Sequence, residues 1–285
     1  MKNILVLTDF SKNAEEAAEL GATLSSKLNT NLLLFNTCAT NAMVPFVAEP
    51  WMMDEVIWGD DDSRDNLNRL ASQLKQFVGQ LNAKAYKPLI YCDNGEGKLG
   101  AIVPEIICRK NIELIIMGAR KDDQNEDDLF GSDLNSVIQI SSRPILVVES
   151  KINLNLLNKV IFATNFDKSD MLAIHYLVKL GELLNFELEI VHINHPDKTA
   201  ASSGQEIILI EQVTSLNYPK VTYHEIKGNN IVENIMRIYK DSGAGLLAMV
   251  HHQHSFIMRL LHRSTTKMML NNQQIPLMIF PSKMK

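Results

Sequence analysis

The chain is poor in cysteine. Cys38, Cys92 and Cys108 are odd in number and share neither a CxxC nor a metal-ligand spacing. That pattern speaks against a disulfide scaffold and for a reduced, cytoplasmic compartment. Cationic excess is also missing: 28 Lys+Arg stand against 33 Asp+Glu, a net charge of -5, so general nucleic-acid binding is not expected. No apolar run approaches the length needed to span a bilayer, so no membrane partner is expected either. The opening "MKNILVLTDF" holds four consecutive apolar residues before Thr8-Asp9 and reads as a strand rather than a secretory leader.

Catalytic signatures are equally scarce. "DNGEGKL" contains Gly97-Lys98, but a Walker A loop needs a glycine where Cys92 stands and Ser or Thr where Leu99 stands. Neither a Gly-x-Ser-x-Gly elbow nor an HExxH pair occurs. The acidic pair and late lysine of a receiver-type phospho-acceptor are absent too. No catalytic constellation emerges, and a non-enzyme is expected.

What is present is a repeat. The 285 residues are 46% hydrophobic and 21% charged, an ordinary globular composition long enough for two domains. "KNILVLTDFSKNAEEAAELGATLSSKLNTNLLLFN" is echoed by "NKVIFATNFDKSDMLAIHYLVKLGELLNFELEIVHIN", which sets Asn165 opposite Asp9. "IELIIMGA…SSRPILVV" is echoed by "AGLLAMVH…NQQIPLMIF", which sets Pro276 opposite Pro144. The second copy is shorter in its middle, where the first holds "CATNAMVPFVAEPWMMDEVIWGDDDS", read as a long loop with two prolines at about 38–63. The expected domains are 1–150 and 151–285. Residues 1–150 carry 14 Lys+Arg and 22 Asp+Glu, net -8; the remainder carries 14 and 11, net +3, and all eight histidines.

Each copy alternates short apolar runs with amphipathic stretches. In the first, "NILVLT", "NLLLFN", "AYKPLIY", "IELIIMG" and "RPILVV" read as strands. "SKNAEEAAELGATLSSKL", capped by Ser11, "SRDNLNRLASQLKQFVGQL", "KLGAIVPEIICRK" with Pro104 near its start, and a stretch from about Ser132 read as helices. Apolar strands without period-2 polarity indicate a parallel sheet covered on both faces, a doubly wound α/β architecture present twice.

Ligands in such sheets bind beyond the carboxyl ends of strands, where strand order reverses. Thr8-Asp9 follows the first strand and Gly118 the fourth. Asp9 suits either a ribose or base edge, or a turn-capping role. Gly131-Ser132 at a helix start suits either a phosphate or simple helix initiation.

The opening strand with Thr-Asp-Phe-Ser resembles the universal stress protein family. So does Gly118-x2-Lys121-x9-Gly131-Ser132 before a helix and a final "PILVV" strand. The likeness covers essentially the whole chain as two tandem domains. It implies a five-stranded parallel sheet of the adenine nucleotide alpha-hydrolase-like type in each. It implies pairing of the "PILVV" and "PLMIF" strands into an internal pseudo-dimer, with a homodimer also open. Carried over by position, Thr8, Asp9, Met117, Gly118, Lys121, Gly131 and Ser132 would line a nucleotide pocket for ATP or AMP, with Mg²⁺ for a triphosphate.

Departures from the pattern shape the expected function. Lys121 replaces the middle glycine of the loop, and "KDDQNEDD" sets five carboxylates near it. Each unit pair at about 4 Å is worth roughly 1 to 4 kcal/mol against a triphosphate, unless a divalent cation bridges. In the second copy Val250, Gln253 and Arg263 replace the three loop glycines and only Ser264 survives, so no nucleotide is expected there. That basic loop can attract the acidic one. His192, His195, His251, His252 and His254 suggest a metal set only weakly, since neither Cys nor acid lies close by. The Met/Trp-rich insert suits either a lid or a loop over the sheet edge. The expected function is stress-associated regulatory binding without catalysis. The alternatives are a Mg²⁺-dependent ATP switch with slow hydrolysis, or a carrier of a small apolar or metal ligand.

Overall fold

The computed structural model describes residues 1–38, 50–81, 85–119, 131–148, 152, 154, 157–194, 203–251 and 275–284, with the side chains of 38, 50–61, 131–132 and 203 excepted. The first repeat runs β1 (Asn3–Leu7), α1 (Lys12–Leu28), β2 (Asn31–Cys38), α2 (Pro50–Gln80), β3 (Ile90–Glu96), α3 (Leu99–Lys110), β4 (Ile112–Gly118), α4 (Gly131–Ile140), β5 (Ile145–Val148). The second runs β6 (Lys159–Thr164), α5 (Asp170–Leu184), β7 (Glu187–Asn194), α6 (Ser203–Ser215), β8 (Val221–Lys227), α7 (Ile231–Ser242), β9 (Leu246–His251), β10 (Leu277–Pro281).

All ten strands form one sheet in the order β3-β2-β1-β4-β5-β10-β9-β6-β7-β8. Within each repeat the five strands are parallel; β5 and β10 meet antiparallel, with Met278 opposite Leu146. The "PILVV" and "PLMIF" strands therefore pair as expected, and the sheet runs unbroken through the pseudo-dyad. Pleat alternation splits the apolar strands between two cores. Ile4, Val6, Leu146, Val148, Phe162, Met278 and Phe280 face one layer with α1, α2, α5 and α6. Leu5, Leu7, Ile145, Val147, Ile161, Leu277 and Ile279 face the other with α3, α4 and α7. Both layers cross from one repeat to the other because strands buried on both faces need cover on both.

Helix ends follow their residues. Ser11 caps α1, its hydroxyl accepting from the Ala14 N–H at 3.3 Å, and Asn29 closes the helix in the left-handed region at φ 53°. Asn230 and Gly243 do the same for α7.

Three expectations need correction. The insert is not loop throughout: α2 already begins at Pro50, whose fixed φ suits a first helical position, and runs for 31 residues. Residues 39–49 lie outside the described part. Pro104 sits in the sixth position of α3 and not its first turn, on the exposed face, so the missing N–H bond falls on the solvent side. The third strand starts at Ile90, after Pro88, and continues into polar Asp93–Glu96. Its place at the sheet edge tolerates those side chains.

Candidate functional site

Strand order reverses between β1 and β4 in the first repeat and between β6 and β9 in the second. The crevices beyond those carboxyl ends are the switch points of the two repeats. Leu7 pairs with Met117, which brings Thr8-Asp9 beside Gly118-Ala119.

In the first repeat the turn after β1 is tightly tied. Thr8 is buried; its N–H donates to the Phe35 carbonyl at 2.9 Å, its carbonyl accepts from Asn36 Nδ2 at 2.6 Å, and its hydroxyl accepts from the Phe10 N–H at 3.0 Å. The Ser63 hydroxyl in turn donates to Asn36 Oδ1 at 2.7 Å. Phe10 sits in the left-handed region at φ 62°, a conformation that costs a non-glycine residue about 1–2 kcal/mol. Asp9 is exposed, and its Oδ1 accepts from the Ser11 N–H at 3.0 Å. This is the turn-capping role weighed in the sequence.

Gly118 has a structural reason of its own. A Cβ there would stand 2.6 Å from the Ala14 nitrogen and 2.6 Å from the Asn13 carbonyl carbon. The start of α1 thus rests directly on the end of β4, and Asn13 Nδ2 locks the contact by donating to the Ala119 carbonyl at 2.6 Å. Met117 is buried in the core below the crevice, so any contact it makes with a ligand comes from its backbone. α4 opens at Gly131, one residue before the expected start, with the positive end of its dipole at the carboxyl end of the sheet. The Ser132 side chain and all of Lys121 lie outside the described residues, as does the acidic run.

The second repeat builds the same turn with different chemistry. Phe166 matches Phe10, with φ 65°. Thr164 again accepts from the residue two on, the Phe166 N–H at 3.0 Å. His192, opposite Asn36 in the repeat, places Nδ1 3.0 Å from the Thr164 carbonyl and stacks on Phe166 with ring centroids 4.1 Å apart. Asp170, opposite Ala14, is 1% exposed; it accepts from the Thr164 hydroxyl at 2.6 Å and from the Asn165 N–H at 3.2 Å. A carboxylate and an aromatic stack of this chain therefore occupy the strand-end turn.

Among the described residues no group of three metal-ligating side chains occurs. His192 on β7 and His251 on β9 are separated by β6, roughly 10 Å at ordinary strand spacing. His195, His252 and His254 lie outside the described residues. No described helix is long and apolar enough to cross a membrane. Asn13, Asn36 and Asp170 escaped the sequence reading; aligning the repeats column by column, rather than at Asp9 alone, would have exposed Asp170 against Ala14 and His192 against Asn36.

Comparison with known proteins decides the family. The family model described as "Universal stress protein family" matches residues 1–149. The chain belongs to the universal stress protein family. It is 25% identical over 297 residues to universal stress protein Slr1230 of Synechocystis sp., covering 98% of this chain and 100% of that one. The crystal structure of a universal stress protein from Archaeoglobus fulgidus shares the fold at TM-score 0.70 and 17% identity, covering 98% of this chain and 96% of that one. The family's α/β fold thus extends over both repeats.

Proposed function

We propose that this family member is a non-catalytic, stress-associated binding protein of the cytoplasm, organised as domains 1–150 and 151–285. Its first domain keeps a weakened adenine-nucleotide site, and its second keeps none. The observation that carries this reading is the contrast between the two switch points. In the first, Asp9 and the start of α4 both stand at the carboxyl end of the sheet; in the second, Asp170, Phe166 and His192 take up the turn after β6. Thr8, Asp9, Met117, Gly118, Gly131 and Ser132 form the proposed lining, with Lys121 at the loop.

Adenosine or AMP fits this arrangement better than ATP. A helix N-terminus favours one phosphate, whereas Asp122, Asp123, Glu126, Asp127 and Asp128 add charge of the same sign as a triphosphate tail. Calorimetric titration of AMP and ATP, each with and without Mg²⁺, tests the reading. One weak AMP site, lost in Gly131→Arg, supports it. One ATP bound only with Mg²⁺ would replace it with a cation-dependent switch, in which the acidic run holds the metal. Heat from neither nucleotide would mean that the scaffold has lost its ligand.

A further inference from the structure

A cavity of about 440 Å³ lies between α6 and the β7–β8 pair. Its wall sets Ile190, Leu209, Val213 and Val221 beside the polar Asn217, Thr222 and Tyr223. The volume is that of small-molecule sites.

The first repeat supplies the control. There α2 occupies the place of α6 and lies flat on its strands, with Leu67, Leu70, Ala71, Leu74 and Val78 all buried. Cys92 pairs with Leu34 on β2, and Tyr223 pairs with Ile190 on β7, so Cys92 and Tyr223 are counterparts. The Cys92 thiol donates to the Leu67 carbonyl at 3.5 Å; a side chain this small lets the helix backbone reach the sheet. Tyr223 instead donates its hydroxyl to Glu206 Oε1 at 2.9 Å. Glu206 stands three residues before buried Leu209 as Leu67 stands three before buried Leu70. A phenol–carboxylate strut has replaced a close sulfur contact, and it holds α6 away from the sheet. Among the described side chains of α6 only Leu209 and Val213 are buried.

The helix also carries apolar surface out of the cavity. Ile207 is 57% exposed and shares a flank with Ile210 and Thr214 at i, i+3 and i+7. No Lys or Arg lines the cavity among the described residues. Burial, the Glu206 hydrogen bond, and the charges of Glu206 and Glu225 all raise the Tyr223 phenol pKa, which marks that end as electronegative.

We propose that the second repeat holds one small amphiphile with a hydrogen-donating head, an amine or an alcohol. Its aliphatic part lies between α6 and β7–β8 and its head meets the Tyr223–Glu206 pair. This site stands apart from the nucleotide crevice and is tested without nucleotide.

The probe is Nile red, followed by fluorescence on the full chain, with displacement by decylamine, decanol and decanoate. The expected result is one saturable site, weakened at least tenfold by Thr214→Trp. Thr214 is an exposed lining position, so the bulkier side chain fills the cavity without entering the core. Ile208→Ser, on the opposite flank of the helix, should change affinity by less than twofold. Decylamine and decanol should displace the dye at least tenfold better than decanoate, and Glu206→Gln should narrow that gap. Absence of saturable binding overturns the proposal. So does weakening by Ile208→Ser but not by Thr214→Trp, which would assign the dye to the outer helix face. Equal displacement by decanoate would overturn the head-group assignment. Unchanged circular dichroism and melting of Thr214→Trp separate lost binding from lost fold.

Discussion

In the first repeat the helix after the opening strand begins at Lys12 and presses on the end of β4, where only a glycine leaves room. In the second repeat the corresponding helix begins at Asp170, two residues later in repeat register. There Val250 stands for Gly118 with a buried side chain, and Asp170 stitches the turn together. The two repeats thus solve one packing problem in two ways: close backbone approach, or a longer turn filled by side chains. A glycine in a ligand-binding pattern can therefore be required by its neighbours in the fold. Loss of that glycine need not weaken a repeat that has moved its helix start. The same divergence recurs at the sheet edges, where Cys92 lets α2 lie flat and Tyr223 props α6 up.

Breaking the contrast at its tightest point should have the largest effect. Gly118→Val drives a branched side chain into the backbone of Asn13 and Ala14, and a loss of roughly 3 kcal/mol in urea unfolding is expected. Wild-type stability for that variant would show that α1 does not rest on β4.

Next come the paired phenylalanines. Phe166 is 5% exposed and stacked on His192, whereas Phe10 is half-buried. Glycine relieves the left-handed backbone at either site by about 1 kcal/mol. Loss of packing should still leave Phe166→Gly about 2–3 kcal/mol less stable and Phe10→Gly within about 1 kcal/mol of wild type. Equal losses in parallel denaturation curves would erase the proposed asymmetry between the turns.

A smaller effect is expected from Asp170→Ala. It removes the acceptor of the buried Thr164 hydroxyl and of the Asn165 N–H, at a cost of about 2 kcal/mol. Hydrogen exchange should accelerate at Asn165 and Phe166 but not at Asp9 and Phe10; uniform acceleration would point to global rather than local loosening.

The smallest effect is a pH dependence at Tyr239 on α7. Burial pushes the Tyr239 phenol up to about 12, while the unfolded chain ionises near pH 10. Its contribution to stability is full below about pH 10 and falls as pH rises toward 12, because the unfolded state loses its proton first. Burial also raises the Tyr176, Tyr218 and Tyr223 phenols. Tyr239→Phe should therefore make that part of the stability–pH curve shallower without flattening it, and an unchanged slope would assign the dependence to the other phenols.

Much of this was legible in residue order. The apolar runs, the Ser11 cap and the Asp9 offset revealed the repeat and its element order, because burial on both faces demands unbroken apolar strands. The insert was less legible: its prolines suggested loop, yet Pro50 opens a helix because proline breaks helices only past their first turn. At the candidate site, sequence identified Thr8, Asp9 and Gly118 as neighbours. It did not reveal Asn13 and Asn36, whose roles rest on bonds to main-chain atoms of Ala119 and Thr8, 106 and 28 residues away.

The twofold repeat, the element order and the α/β class were written in the residues, since these follow from local periodicity and from similarity along one chain. Pairing of the two last strands was implied by the family resemblance, but its antiparallel sense and register, Met278 opposite Leu146, came only with the folded chain. The tertiary structure alone showed that Gly118 is claimed by α1, that Asp170 seals the second turn, and that Tyr223 opens a cavity. Each of these depends on which side chains meet across long separations, and the free energy of such a meeting belongs to the pair, not to either residue's place in the sequence.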